Sequence, residues 1–218
     1  MLNLLMQGQI VLFAVILFAI IISLSFHEFG HAATARLFGD DTAQRAGRLT
    51  LNPMAHIDPM GLFMTALIGF GYARPVPTNP SKFNSLYASF FVSAAGPAMN
   101  LLLSVVAINV YGFGLVNGWS FVRGAGAEQF FLYFSLINLI LMVFNLLPVG
   151  SLDGHYILPY FLPRRMAQTY RYWNDRYGNQ LLTGLILLSL FGVPVFDTIW
   201  RFGESLLPYI MFVDVRQP

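Results

Sequence analysis

His27, Glu28 and His31 fall within five positions of one another in the stretch SLSFHEFGHAATARLFG (Ser23 to Gly39), directly after an apolar run. On an α-helix, residues four apart share a face, with Cβ atoms about 5–6 Å apart. Two imidazoles so placed suit two ligands of one tetrahedral zinc. Glu28, beside the first ligand, is positioned to reach a water at the metal. Zinc lowers the pKa of that water, and Glu28 can take its proton and pass it to a leaving amine. This is the H-E-x-x-H pattern. Ionisable groups within an apolar helix are costly and point to function. Three together make interfacial decoration a poor explanation.

A zinc site of this kind needs a third protein ligand. The chain contains no cysteine, so disulfides, thiol nucleophiles and thiolate ligands are excluded together. Outside the motif there are only His56, His155 and scattered carboxylates. The stretch FNLLPVGSLDGHY draws attention to Asp153, which follows an apolar helix broken by Pro148 and loosened at Gly150 and Gly154. Unwound backbone at membrane depth is tolerated where it lines a cavity.

The elements that must hold these residues are membrane helices. The chain of 218 residues is 56% apolar and 10% charged, with a mean hydropathy of +0.63. A soluble domain carries about a quarter charged residues, so the composition predicts an all-α polytopic membrane protein. Apolar segments run over about 9–33, 59–73, 88–111, 130–147 and 181–200. Spanning takes about 20 apolar residues, which the segment at 59–73 lacks. It is expected to be re-entrant or interfacial. The first segment has no basic leader region or cleavage signal and is expected to be a retained helix. No internal repeat or added soluble domain is expected, so residues 1–218 read as one unit. Prolines at 53, 59, 75, 77 and 80 argue against helix between Gly39 and Lys82, and AGRLTLNP could supply a short strand. Extended segments there could pair with another unfolded chain.

Charge placement sets the topology. Nine of the 12 Lys and Arg residues lie in two regions, Arg36 to Lys82 and Arg164 to Arg176. If 59–73 does not cross, both regions share one face, which the positive-inside rule makes cytoplasmic. His27 lies 18 residues past Gln9, roughly 27 Å along a helix and toward that inner side. The helix at 130–147 ends on the same side, so Asp153 and the two histidines can meet. Charge and metal geometry thus favour the same arrangement.

HEFGH at the end of a membrane helix, with NLLPVGSLDG after a later one, resembles the site-2 protease family of intramembrane zinc metalloproteases. GPAMN (Gly96 to Asn100) resembles that family's element on the middle core helix. LTLNPMAHIDPMG and ARPVPTNP resemble a compact prokaryotic branch without a PDZ domain. The resemblance covers roughly Phe18 to Tyr156. It implies a three-helix catalytic core carrying HEFGH, GPAMN and LDG in turn. It implies one zinc per chain held by His27, His31 and Asp153, with Glu28 as base. Asn145 would position substrate or stabilise the oxyanion. Gly150 and Ser151 stand where the family often has a second proline. The implied substrate is a transmembrane helix, cleaved in a bacterial or archaeal membrane at a site toward the cytoplasm.

The remaining polar residues have plainer readings. Asn138 and Asn100 are amides in apolar helices, suited to hydrogen bonds between helices. His56 is either a loop residue or a neighbour of the site, and His155 is expected to pack locally or behind the ligands. Gly96 and Pro97 read as close-packing and kinking devices. Tyr156 to Tyr177, with Trp173 among arginines, reads as an interfacial segment in contact with the bilayer. Nucleic acid is excluded as a partner, because topology accounts for the basic residues. The competing function is a non-hydrolytic metal-binding scaffold or transporter. A transporter would usually show repeated halves, and a scaffold has no need of Glu28.

Overall fold

A computed structural model describes residues 1–69 and 71–213. A short helix α1 (Leu2–Met6) precedes α2 (Ile10–Leu37), which carries the HEFGH motif. At 28 residues, α2 is about 42 Å long, more than the hydrocarbon core of a bilayer. The motif therefore lies inside the helix, with Leu37 six residues beyond His31, rather than at its end. Gly39, at a φ of +96°, ends it in a left-handed turn.

The segment from Gly39 to Lys82 corrects the expectation drawn from its prolines. Two of them start helices instead of preventing them. In α3 (Thr42–Arg45), α4 (Pro53–His56) and α5 (Pro59–Ile68), the last two have proline in the first turn. Asn52 caps α4 by accepting from the Met54 amide, and Asp58 caps α5 by accepting from Met60 and Gly61. Proline has no N–H to lose at that position, and its fixed φ suits a helix start. AGRLTLNP forms no strand. Among the described residues, the β pairing consists of one isolated bridge, Ile57 with Ala73. At 10 residues, α5 spans about 15 Å and is too short to cross. Phe70, within the segment expected to be re-entrant, lies outside the described residues.

Helices α6 (Ala88–Val116) and α7 (Ala125–Asn145) follow; α6 continues past its apolar run, and α7 starts before its own and stops at Asn145, short of 147. Together with α2 they are long and apolar enough to cross a membrane, and the three pack on one another. Ala19, Ala107, Phe134 and Ile137, one or two from each helix, form the centre of the contact. After α7 the chain turns through residues 146–152 into α8 (Asp153–Ile157), then α9 (Arg164–Trp173). A π-helical turn at Asn174–Gly178 joins α9 to α10 (Asn179–Leu190) without interruption.

The expected fourth crossing over 181–200 is broken. α10 stops at Leu190, and α11 (Val195–Ile210) leaves at 90° to it. Gly192, at a φ of +96°, and Pro194 make the corner. The two halves form one bent span or a re-entrant pair, and α11 packs against α7.

Candidate metal centre and catalytic base

Two consecutive turns of α2 present His27 and His31 to α6. Each imidazole is oriented by its Nδ1. His31 Nδ1 lies 2.7 Å from the carbonyl oxygen of Val92. A carbonyl only accepts, so this Nδ1 carries a proton, and in the neutral ring Nε2 keeps the lone pair. His27 Nδ1 lies 2.6 Å from Oδ1 of the fully buried Asn100. The far end of that amide sets its direction. Its Nδ2 donates to Asn138 Oδ1 at 2.9 Å and to the Ser23 carbonyl at 3.3 Å. Asn138 is fixed in turn by donating to the Phe134 carbonyl. Asn100 Oδ1 is thus the acceptor, and His27 Nε2 is bare as well.

The loop after α7 brings Asp153 to the same point. The two Nε2 atoms are 3.0 Å apart, and the Asp153 carboxylate lies 3.1 Å from His27 Nε2 and 3.3 Å from His31 Nε2. Asp153 Oδ2, although that close, is buried without a hydrogen bond. With both rings neutral, three lone-pair donors therefore converge, an arrangement that a shared metal ion relieves. Ligand atoms 2.0–2.1 Å from a tetrahedral zinc stand about 3.3–3.4 Å apart, close to the separations seen. His27, His31 and Asp153 thus fit zinc, and they form a group able to hold a metal among the described residues.

Gly96 supplies the floor of the site. A Cβ there would land on the Nε2 atoms of both histidines. Its part in the site goes beyond the helix packing expected of it. Asn100, one turn further along α6, does more than join helices, because it sets the tautomer of His27. Amides buried at four-residue spacing from a glycine in an apolar helix were the available signal.

Glu28 faces an irregular strap. Its Oε2 accepts from the Val76 amide at 3.0 Å. The buried Arg48 guanidinium donates to the carbonyls of Arg74 and Pro75 (the latter at 3.3 Å), holding the strap beside the carboxylate. The Arg74 amide also donates to the His56 carbonyl at 2.8 Å. His56 is fully buried, with Nε2 2.7 Å from the Thr50 carbonyl. It staples the loop beneath the strap and does not join the metal group. His155 packs against Tyr156 and Tyr170 outside the ligand set. Burial pushes its imidazole below the ordinary value and Arg171 adds to this, while Asp175 opposes. Asn145 ends α7, and its amide donates to the Leu141 carbonyl at 2.9 Å.

The chain matches the model of peptidase family M50 over residues 15–189. It is 42% identical over 151 residues to the Bacillus subtilis protein named "Putative zinc metalloprotease YwhC", covering 66% of this chain and 67% of that one. It is 34% identical over 196 residues to "Putative zinc metalloprotease Rip2" of Mycobacterium tuberculosis H37Rv, covering 88% and 71%. The protein of that name in Mycolicibacterium smegmatis is 34% identical over 140 residues, 62% of this chain and 52% of the relative. The chain thus spans between about half and seven tenths of these relatives. No solved structure matches it. With its H-E-x-x-H helix, its remote aspartate and its apolar core in place, this chain belongs to peptidase family M50, the site-2 protease family of zinc metalloproteases.

Proposed function

We propose that the protein is a multi-pass intramembrane endopeptidase that hydrolyses peptide bonds within or next to transmembrane helices of membrane-protein substrates. The observation that carries this reading is the convergence of three bare ligand atoms beside Glu28 on helices long and apolar enough to cross a bilayer. His27, His31 and Asp153 would hold one zinc. Zinc there supplies Lewis acidity, which acidifies a water and polarises a carbonyl. Glu28 takes the proton of the attacking water and delivers it to the departing amine. The Val76 amide, by bonding one carboxylate oxygen, keeps the base aimed. Asn145 would bind the scissile carbonyl after releasing Leu141. The carbonyls of Val76 and Pro77 on the extended strap would accept from an unwound substrate segment. The positive-inside rule supports a position for this end of the molecule at the cytoplasmic face of a bacterial or archaeal membrane.

The test uses the full chain purified in detergent, with metal content measured and a panel of transmembrane-helix peptides supplied. Stoichiometric zinc is expected in both the wild type and Glu28→Gln, with cleavage by the wild type alone. Zinc without cleavage by either would favour a metal-binding scaffold. Absence of bound metal after metal-replete purification would overturn the ligand assignment.

A further inference from the structure

His27 and His31 ride on a rigid helix, but Asp153 hangs from a loop. Between the end of α7 and Asp153 that loop has few bonds of its own. The Val149 amide reaches the Leu147 carbonyl at 2.9 Å, and the Leu152 amide reaches Val149 at a long 3.4 Å. A ligand held within hydrogen-bond distance of two others needs firmer support, since small displacements weaken a metal site.

That support comes from one face of the helix running from Arg164 to Leu190. Asn174 makes a paired contact across 24 residues. Its Oδ1 accepts from the Gly150 amide at 2.8 Å, and its Nδ2 donates to the Gly150 carbonyl at 2.8 Å. Four residues earlier, the Tyr170 hydroxyl donates to the Pro148 carbonyl at 3.0 Å and lies 3.2 Å from His155 Nδ1. The loop is thus gripped on both sides of Asp153. Four residues later, Gly178 is buried, and a Cβ there would strike Asn174 Oδ1 and come within 2.9 Å of the Gly150 nitrogen. Gly150 itself sits at a φ of +63°, against Leu182 and Asn179. The helix takes a π-helical turn at Asn174–Gly178, where this contact is made. Such turns are rare and often mark functional positions.

We infer that Asn174 is a positioning residue for the metal site: by clamping both backbone groups of Gly150 it fixes the loop that carries Asp153. The inference rests on the assignment of Asp153 as a ligand. It predicts that loss of the Asn174 amide weakens metal binding without unfolding the chain.

A remote residue provides the control. Asn109 makes the same kind of clamp, donating to the Ile210 carbonyl and accepting from the Phe212 amide, both at 2.7 Å. The full-length protein would be stripped of metal and titrated with zinc against a chromophoric chelator. Cobalt would be added separately for its visible spectrum. Asn174→Ala is expected to lose about tenfold in zinc affinity, the lower end of the range for residues behind metal ligands, and to shift the cobalt bands. Asn174→Asp keeps the acceptor and loses the donor, and should fall between it and the wild type. It also serves if the alanine variant fails to fold. Asn109→Ala should keep wild-type affinity. Unchanged affinity and spectrum in both Asn174 variants would overturn the inference, as would an equal loss in Asn109→Ala. Failure of the wild type to bind metal would overturn the ligand assignment, and this inference with it.

Discussion

Each candidate metal ligand here is defined by what its other polar atoms do. Val92 and Asn100 take the Nδ1 protons of the two histidines, which leaves both Nε2 atoms free for a cation. The Asn100–Asn138 relay reaches from α6 to α7, so the tautomer of a ligand on one helix is set by the other two. Asn100→Ala would leave His27 free to rotate or to change tautomer. Zinc affinity, measured by chelator competition, is expected to fall about 10–100-fold. Asn100→Asp should lose less, because it still offers His27 an acceptor. Gly96 acts by absence, since any side chain there occupies the place of the metal ligands.

Between the elements, the region from Gly39 to Lys82 behaves as a shaped cover and not as a slack connection. Asp40 anchors it. Its buried carboxylate accepts from the Thr42 amide at 3.0 Å, and from the Thr42 hydroxyl and the Asn79 amide at 2.5 Å each. These contacts tie the end of α2 to the approach to α6. Burial works to raise the Asp40 pKa, but the bonds from Asn79 and Thr42 outweigh it, so the group sits below its ordinary 3.8. A carboxyl with a folded pKa below its unfolded one stabilises the fold above the unfolded value, and loses that contribution as pH falls through the folded one. Asp40→Asn should therefore cost about 1–3 kcal/mol at neutral pH. In unfolding scans in detergent, the gap between variant and wild type should close as pH drops below about 4. A gap independent of pH would show that the charge of Asp40 is not what holds the cover.

At the scale of the whole molecule, the candidate metal site is the place where otherwise separate parts meet: two candidate ligands from α2, a floor from α6, a third after α7, and the contacts of the helix at 164–190 with its loop. Zinc that binds only when these are assembled adds to the stability of the assembly. A ligand present at a thousand times its dissociation constant contributes about 4 kcal/mol. Stripping the metal should lower the thermal midpoint of the wild type clearly. Asp153→Asn should start lower and respond little to a chelator. An equal response in both proteins would separate the stabilising metal from this site.

The sequence by itself carried the composition of a membrane protein, the three core helices and the pair His27–His31 with Glu28. These are local properties: hydropathy persists over a whole span, and helical spacing alone puts residues four apart on one face. Asp153 could be named because a proline-broken helix end and helix lengths bring it to the right depth. Other features depended on contacts that no local pattern encodes. Asn100 was marked by its spacing from Gly96, but an amide in an apolar helix does not by itself show that it faces a ligand and not a neighbouring helix. Pro53 and Pro59 looked like breakers, because only the capping bonds of Asn52 and Asp58 turn such prolines into helix starts. The corner at Gly192 and Pro194 lay within a segment taken as one apolar run, since hydropathy records what a segment can be buried in and not its direction. Gly150 looked like slack before the third ligand, and Asn174, 24 residues later, takes that slack up. A hydrogen bond between residues so far apart exists only once the chain has folded.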